Sequence, residues 1–144
     1  MKILIYVFVA TSLLGTQCLQ AQWTKVSDYC SRSILGSGEL VFADQCDQGI
    51  VRSTDQGTTW FPLDTTLKQK SITALRLWND TLYAASRGQG LFRTAITAET
   101  WLEVNTQPQG REITCLLIDD RGIIAGTDHN GLWRSGDFGF TWAK

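Results

Sequence analysis

The sequence predicts an all-β fold of small antiparallel sheets set side by side, and three observations predict it. Trp60, Trp101 and Trp142 stand 41 residues apart, and Gly49, Gly90 and Gly131 keep the same interval. Within each interval, short runs rich in Leu, Ile, Thr and aromatic residues alternate with turn residues. No stretch sustains a helical period.

The first element in the chain stands outside this pattern. "MKILIYVFVATSLLGTQCLQA" carries Lys2, an apolar run from Ile3 to Ala10, and small or neutral residues up to Ala21. That is a secretory signal pattern, and the run is shorter than the ~20 residues of a membrane span. Residues 1–21 are therefore expected to be a signal peptide, leaving 22–144 as a secreted or periplasmic domain with no stable membrane span. Lipidation at Cys18 is the weaker reading, because Gln17 occupies a position that favours a small residue. With 144 residues, 43% hydrophobic, 19% charged and a formal net charge of -1, the composition is that of one globular domain. The charge gives no polybasic attraction to nucleic acid or to an anionic membrane surface.

The repeat follows. "FADQCDQGIVRS" (42–53), "YAASRGQGLFRT" (83–94) and "IAGTDHNGLWRS" (124–135) align without gaps. Each has an apolar residue, an Ala, a polar turn, a Gly, two apolar residues, an Arg and a Ser or Thr. In the middle copy, "SITALRLW", "LYAAS", "GLFRT" and residues 100–104 read as four strands, with turns at Asn79-Asp80 and at Arg87–Gly90. Four short strands per ~40-residue unit is the arithmetic of a β-propeller blade. The expected fold is a partial β-propeller of about two and a half to three four-stranded antiparallel blades, near 30–63, 71–104 and 112–144. A closed ring needs at least ~4 blades, so an open arc is expected, with open edges available for self-association. A stop two residues past the last Trp reads as a fragment of a longer propeller.

"RSTDQGTTW" (52–60) and "RSGDFGFTW" (134–142) close two of the copies. In each, the Asp can accept hydrogen bonds from its own turn, the Gly supplies a conformation that other residues avoid, and the Trp offers an apolar face to the seam between blades. The pattern SxDxGxTW resembles the Asp-box, or BNR repeat. It is complete at Ser53, Asp55, Gly57, Thr59 and Trp60, and again at Ser135, Asp137, Gly139, Thr141 and Trp142. In the middle copy Ile96 replaces the Asp and Ala98 the Gly, while Thr100 and Trp101 remain. That turn is expected to be looser, with its blade relying on Trp101.

The resemblance covers nearly the whole of 22–144. It extends to sialidases, sortilin-type receptors, xyloglucan-degrading glycosidases and photosystem II stability/assembly factor-like propellers. In all of these the motif is implied to be a structural turn, so it indicates architecture without chemistry. The third copy also resembles the sensor propellers of hybrid two-component regulators.

No catalytic constellation is visible, and no cofactor or metal site is expected. A sialidase-like site would need an arginine cluster, a Tyr nucleophile and an acid/base carboxylate. Arg52, Arg93 and Arg134 recur at one repeat position, which reads as a strand residue packing its stem and pairing locally. His129 is the one histidine and falls in a turn. Export permits disulfides. Of Cys30, Cys46 and Cys115, Cys115 sits within the apolar "ITCLLI" and reads as a small core residue; pairing of Cys30 with Cys46 is left open.

Propeller geometry gathers the turns between second and third strands on one face, opposite the SxDxGxTW turns. Asp47, Arg87, Asp128 and His129 are the polar residues of that face best placed to meet a ligand. The functional expectation is an exported, non-enzymatic binding or scaffold module for a protein or a carbohydrate. The alternatives are the N-terminal part of a sialidase-like glycoside hydrolase and a periplasmic sensor propeller.

Overall fold

The computed structural model describes residues 6–8, 23–26, 28, 30–64, 66–98, 100–104 and 112–144. Strands β1 (Tyr6–Phe8) and β2 (Trp23–Lys25) pair antiparallel, Tyr6 opposite Lys25. The rest of the expected signal peptide, with its cleavage point after Ala21, lies outside the described residues.

Three sheets follow in chain order. The first holds β3 (Ile34–Ser37), β4 (Leu40–Asp44), β5 (Ile50–Ser53) and β6 (Phe61–Asp64), each paired with the next. The second holds β7 (Ile72–Trp78), β8 (Thr81–Ser86), β9 (Gly90–Ala95) and β10 (Leu102–Val104) in the same order. The third holds β11 (Ile113–Asp119), β12 (Gly122–Thr127) and β13 (Leu132–Ser135), and a single bridge from Arg134 to Ala143 marks the fourth position. One 3-10 turn, Cys46–Gln48, interrupts the β structure of the first sheet.

The sequence interval is also a structural interval. Phe42 pairs with Arg52, Tyr83 with Arg93 and Ile124 with Arg134, so the second and third strands keep one register through all three sheets. At the Asn79-Asp80 turn both residues take positive φ, 44° and 56°, as a two-residue type I′ hairpin demands. Asn and Asp tolerate that region at low cost.

Because side chains alternate across a strand, each sheet offers a front face to the sheet before it and a rear face to the sheet after it. Phe42 and Ile50 on the rear of the first sheet pack with Leu75, Leu82, Phe92 and Trp101 on the front of the second. Tyr83 and Leu91 on the rear of the second pack with Ile113, Leu116 and Ile123 on the front of the third. Each fully buried aliphatic or aromatic residue here contributes about 1.5–3 kcal/mol, and these two seams are the core. The inner strands touch directly: the Leu75 N–H donates to Ser33 Oγ at 2.9 Å, and Thr73 Oγ1 donates to the Ile113 carbonyl at 2.6 Å. Successive sheets thus fan out from a common inner edge.

Two expectations change. Cys115 is exposed rather than buried, because it lies on the rear of the third sheet, where no described sheet covers it. Two of the three periodic arginines reach forward into the next sheet instead of pairing locally: Arg52 Nη1 donates to the Ile96 carbonyl at 3.2 Å, and the Arg93 guanidinium stacks 5.3 Å from the Phe140 ring centre.

Candidate functional site

The two ends of the fan are built differently. At one end stand the SxDxGxTW turns, docked on the turns between first and second strands; the Gln56 N–H, for example, donates to the Glu39 carbonyl. Ser53 Oγ donates to Asp55 Oδ1 at 2.7 Å and accepts from the Gly57 N–H at 2.8 Å. Asp55 in turn accepts from the Thr59 N–H at 2.8 Å and from Thr59 Oγ1 at 2.6 Å. The third sheet repeats this network with Ser135, Asp137, Gly139 and Thr141 at 2.7, 2.7, 2.8 and 2.6 Å. Bonds from the Thr59 hydroxyl, then the Thr59 amide, then Ser53 lower the Asp55 pKa from 3.8 to about 2. The corresponding Thr141 and Ser135 bonds do the same for Asp137. A carboxylate so fixed as an acceptor cannot serve as a general acid near neutral pH.

The three tryptophans follow from these turns. Trp101 is 7% exposed in the first seam, and Trp142 is partly buried in the second, where its Nε1 donates to the Gly139 carbonyl at 3.2 Å. Trp60 stands on the front of the first sheet, half-buried, and its Nε1 finds no acceptor among the described residues.

The opposite end carries the turns between second and third strands and the links between sheets. Here Arg87 pairs by backbone with Glu112, whose carbonyl accepts from the Asp128 N–H at 3.1 Å. Side-chain oxygen and nitrogen atoms of Glu112, Asp128 and His129 come within 4.8 Å of one another, and exposed groups of this kind are common without an ion. Of the four residues expected on this face, Asp128 and His129 bring their side chains to Glu112, and Arg87 lies beside it through the backbone bridge. Asp47 is exposed in the first sheet's turn, where its carbonyl accepts from the Gln69 N–H at 2.7 Å.

The sequence did not single out the group that organises this face near Asp47. Asp44 is fully buried, and its carboxylate accepts from Ser31 Oγ (3.1 Å), the Arg32 N–H (2.6 Å), the Ser33 N–H (2.7 Å) and the Cys46 N–H (3.2 Å). The disulfide Cys30–Cys46 ties the same loops together across Cα atoms 5.8 Å apart. The repeat could not reveal Asp44, since Ala85 and Gly126 occupy its place in the other copies. Glu112 lies in a link outside the aligned blocks, so the repeat did not single it out either.

No protein-family model matches the chain, and no curated protein matches it by sequence. Solved structures do match. The computationally designed Ika8 protein is similar with a TM-score of 0.65 at 13% identity, over 80% of this chain and 36% of that one. YCF48 from Cyanidioschyzon merolae is similar with a TM-score of 0.64 at 12% identity, over 78% and 36%. YCF48 bound to D1 peptide gives 0.60 at 16% identity, over 85% and 43%. The Niastella koreensis GH74 enzyme gives 0.55 at 15% identity, over 85% and 20%. These neighbours are propeller proteins. The fold is a partial β-propeller. Its three sheets are blades in an open arc, and the chain spans about a third of the length of the first two structures it matches.

Proposed function

We propose that the chain is an exported, non-enzymatic propeller module of the Asp-box type that binds a protein segment through the face holding Arg87, Glu112, Asp128 and His129. The observation that carries this reading is the cluster of two carboxylates and an imidazole, Glu112, Asp128 and His129, beside exposed Arg87, whose backbone bridges to Glu112, all mounted on strands whose register does not change between blades. Rigid strands with variable turns suit recognition. Among similar folds, YCF48 is a propeller with a bound peptide, which favours protein over carbohydrate as the ligand. No helix among the described residues is long and apolar enough to cross a membrane. Export rests on the signal pattern of residues 1–21.

The second reading is a piece of a glycoside hydrolase, favoured by the similarity to the GH74 enzyme. Panning the purified chain against a random-peptide phage library, beside a glycan array and a xyloglucan hydrolysis assay, separates the readings. The expected result is enriched peptides whose binding falls at least tenfold in the Arg87→Ala/His129→Ala double variant, with unfolding unchanged. Peptide binding indifferent to that variant, or hydrolysis of the polysaccharide, overturns the proposal. Recovery of the exported chain with Gln22 at its N-terminus checks the localisation.

A further inference from the structure

A gap of about 290 Å³ lies between the second and third blades, at the end of the fan that carries the motif turns and away from the face with Arg87. Trp78, Tyr83 and Arg93 of the second blade form one wall, and Asp137, Phe138 and Phe140 of the third form the other. Tyr83 is buried, Trp78 and Phe138 are partly buried against the second seam, and Phe140 is 62% exposed.

Three of these four aromatic residues break the repeat. Trp78 stands where the other copies have Ser37 and Asp119. Phe138 stands where they have Gln56 and Thr97, and Phe140 where they have Thr58 and Glu99. Blade packing therefore requires no aromatic ring at any of the three positions, yet all three meet at one gap. The motif imposes a φ of 57° on Gln56 and of 54° on Phe138, a region that bulky side chains avoid, so this phenylalanine is held against the preference of its own backbone.

The polar groups of the gap narrow what it can hold. Arg52 donates to the Ile96 carbonyl across the first seam, but its equivalent Arg93 stacks on the Phe140 ring, and no described residue accepts from its side-chain N–H groups. Stacking occupies the flat face of a guanidinium and leaves its in-plane donors for a ligand. Asp137 is ionised, because the bonds from Thr141 and Ser135 hold its pKa at about 2. The lining thus sets one cation and one anion among aromatic rings. An anionic ligand would gain Arg93 and be repelled by Asp137, and a wholly apolar one would strip water from both charges without replacing it. A sugar ring satisfies every group: its hydroxyls both donate and accept, and its C–H face suits the negative face of an aromatic ring.

We propose that the gap between the second and third blades is a binding site for one neutral pyranose unit, its ring laid against Phe140 and Trp78 and its hydroxyls bonded to Arg93 and Asp137. This site is independent of the peptide-binding reading, which rests on the opposite face.

Saturation-transfer NMR on the full chain tests it, with the methyl pyranosides of glucose, galactose and mannose, a β-1,4-linked glucose tetramer, and glucuronate as probes. At least one neutral pyranoside should bind with millimolar affinity, and glucuronate no more tightly. Tighter binding of the tetramer than of the single rings would assign a unit within a glycan, and the reverse order a free sugar. Phe140→Thr, which restores the residue type of the first copy at an exposed position, and Arg93→Gln should each weaken binding about fivefold or more with the thermal midpoint of Phe140→Thr unchanged. Arg87→Ala/His129→Ala should leave sugar binding intact. Absence of transfer from every neutral sugar at tens of millimolar, tighter binding of glucuronate, or sugar binding indifferent to Phe140→Thr overturns the proposal.

Discussion

The motif turns of the first and third blades and the middle turn of the second do the same work by different bonds. In the outer two, a Ser, an Asp and a Thr close the loop, with backbone φ of 91° at Gly57 and 102° at Gly139. The middle turn has neither the carboxylate nor the glycine. There Thr94 Oγ1 donates to the Thr100 carbonyl at 2.8 Å, Arg52 reaches over from the first blade to the Ile96 carbonyl, and Ile96 packs against the first seam. Polar closure from within has been replaced by apolar contact and one donor from outside. The difference teaches that the seam, not the turn network, is indispensable to the stack. Trp101, in the blade with the incomplete turn, is the most buried of the three tryptophans.

If the seam carries the stability, the largest loss should come from Trp101→Ala. Removing a buried Trp typically costs about 3–5 kcal/mol. Trp142→Ala, at a partly buried site, should cost roughly half as much. Urea unfolding of both variants checks the order, and equal losses would mean that the turns hold the blades as firmly as the seam does.

A second pair exchanges the residues of the two turn types. Gly139→Ala places a methyl group 2.2 Å from Val104 Cγ1 at a φ that side chains avoid, and should cost on the order of 3 kcal/mol. Ala98→Gly in the middle turn changes no contact of the motif and should cost under about 1 kcal/mol, through unfolded-chain entropy alone. Thermal melts of the two variants measure the gap. Near-equal midpoints would show that the middle turn is as conformationally demanding as the complete ones.

How much of this was legible depends on what repeats. The 41-residue frame, the strand positions and the two complete turns were visible because each blade solves the same packing problem with the same residues. The arginines were visible too, but their targets were not: Ile96 and Phe140 lie in the next blade, and contact across a seam leaves no mark in local pattern. Asp44, Glu112 and the Cys30–Cys46 bond occur once each, so periodicity could not single them out. Cys115 was misplaced for an instructive reason. Its surrounding run is as apolar as any core strand, and it would be a core strand if another blade covered it.

The smallest expected effect distinguishes the two turn types by proton binding. Asp55 and Asp137 titrate near 2 when folded, below the ordinary 3.8. The unfolded chain therefore takes up these two protons first as the solution is acidified. The stability contributed by the two carboxylates is fully present above about pH 4 and is lost progressively as pH falls toward 2. Both carboxyls lie at the surface, where solvent and salt weaken the effect, so a modest shift of midpoint is expected. Ile96 has nothing to titrate, and the middle turn stays indifferent to acid. Comparing the unmodified chain with the Asp55→Asn/Asp137→Asn double variant isolates these groups from every other carboxyl. The double variant should be less stable at pH 7, and the two curves should approach one another between pH 4 and pH 2. A gap that stays constant across that interval would mean that the Ser-Asp-Thr networks hold the turns by shape alone, as the middle blade does without them.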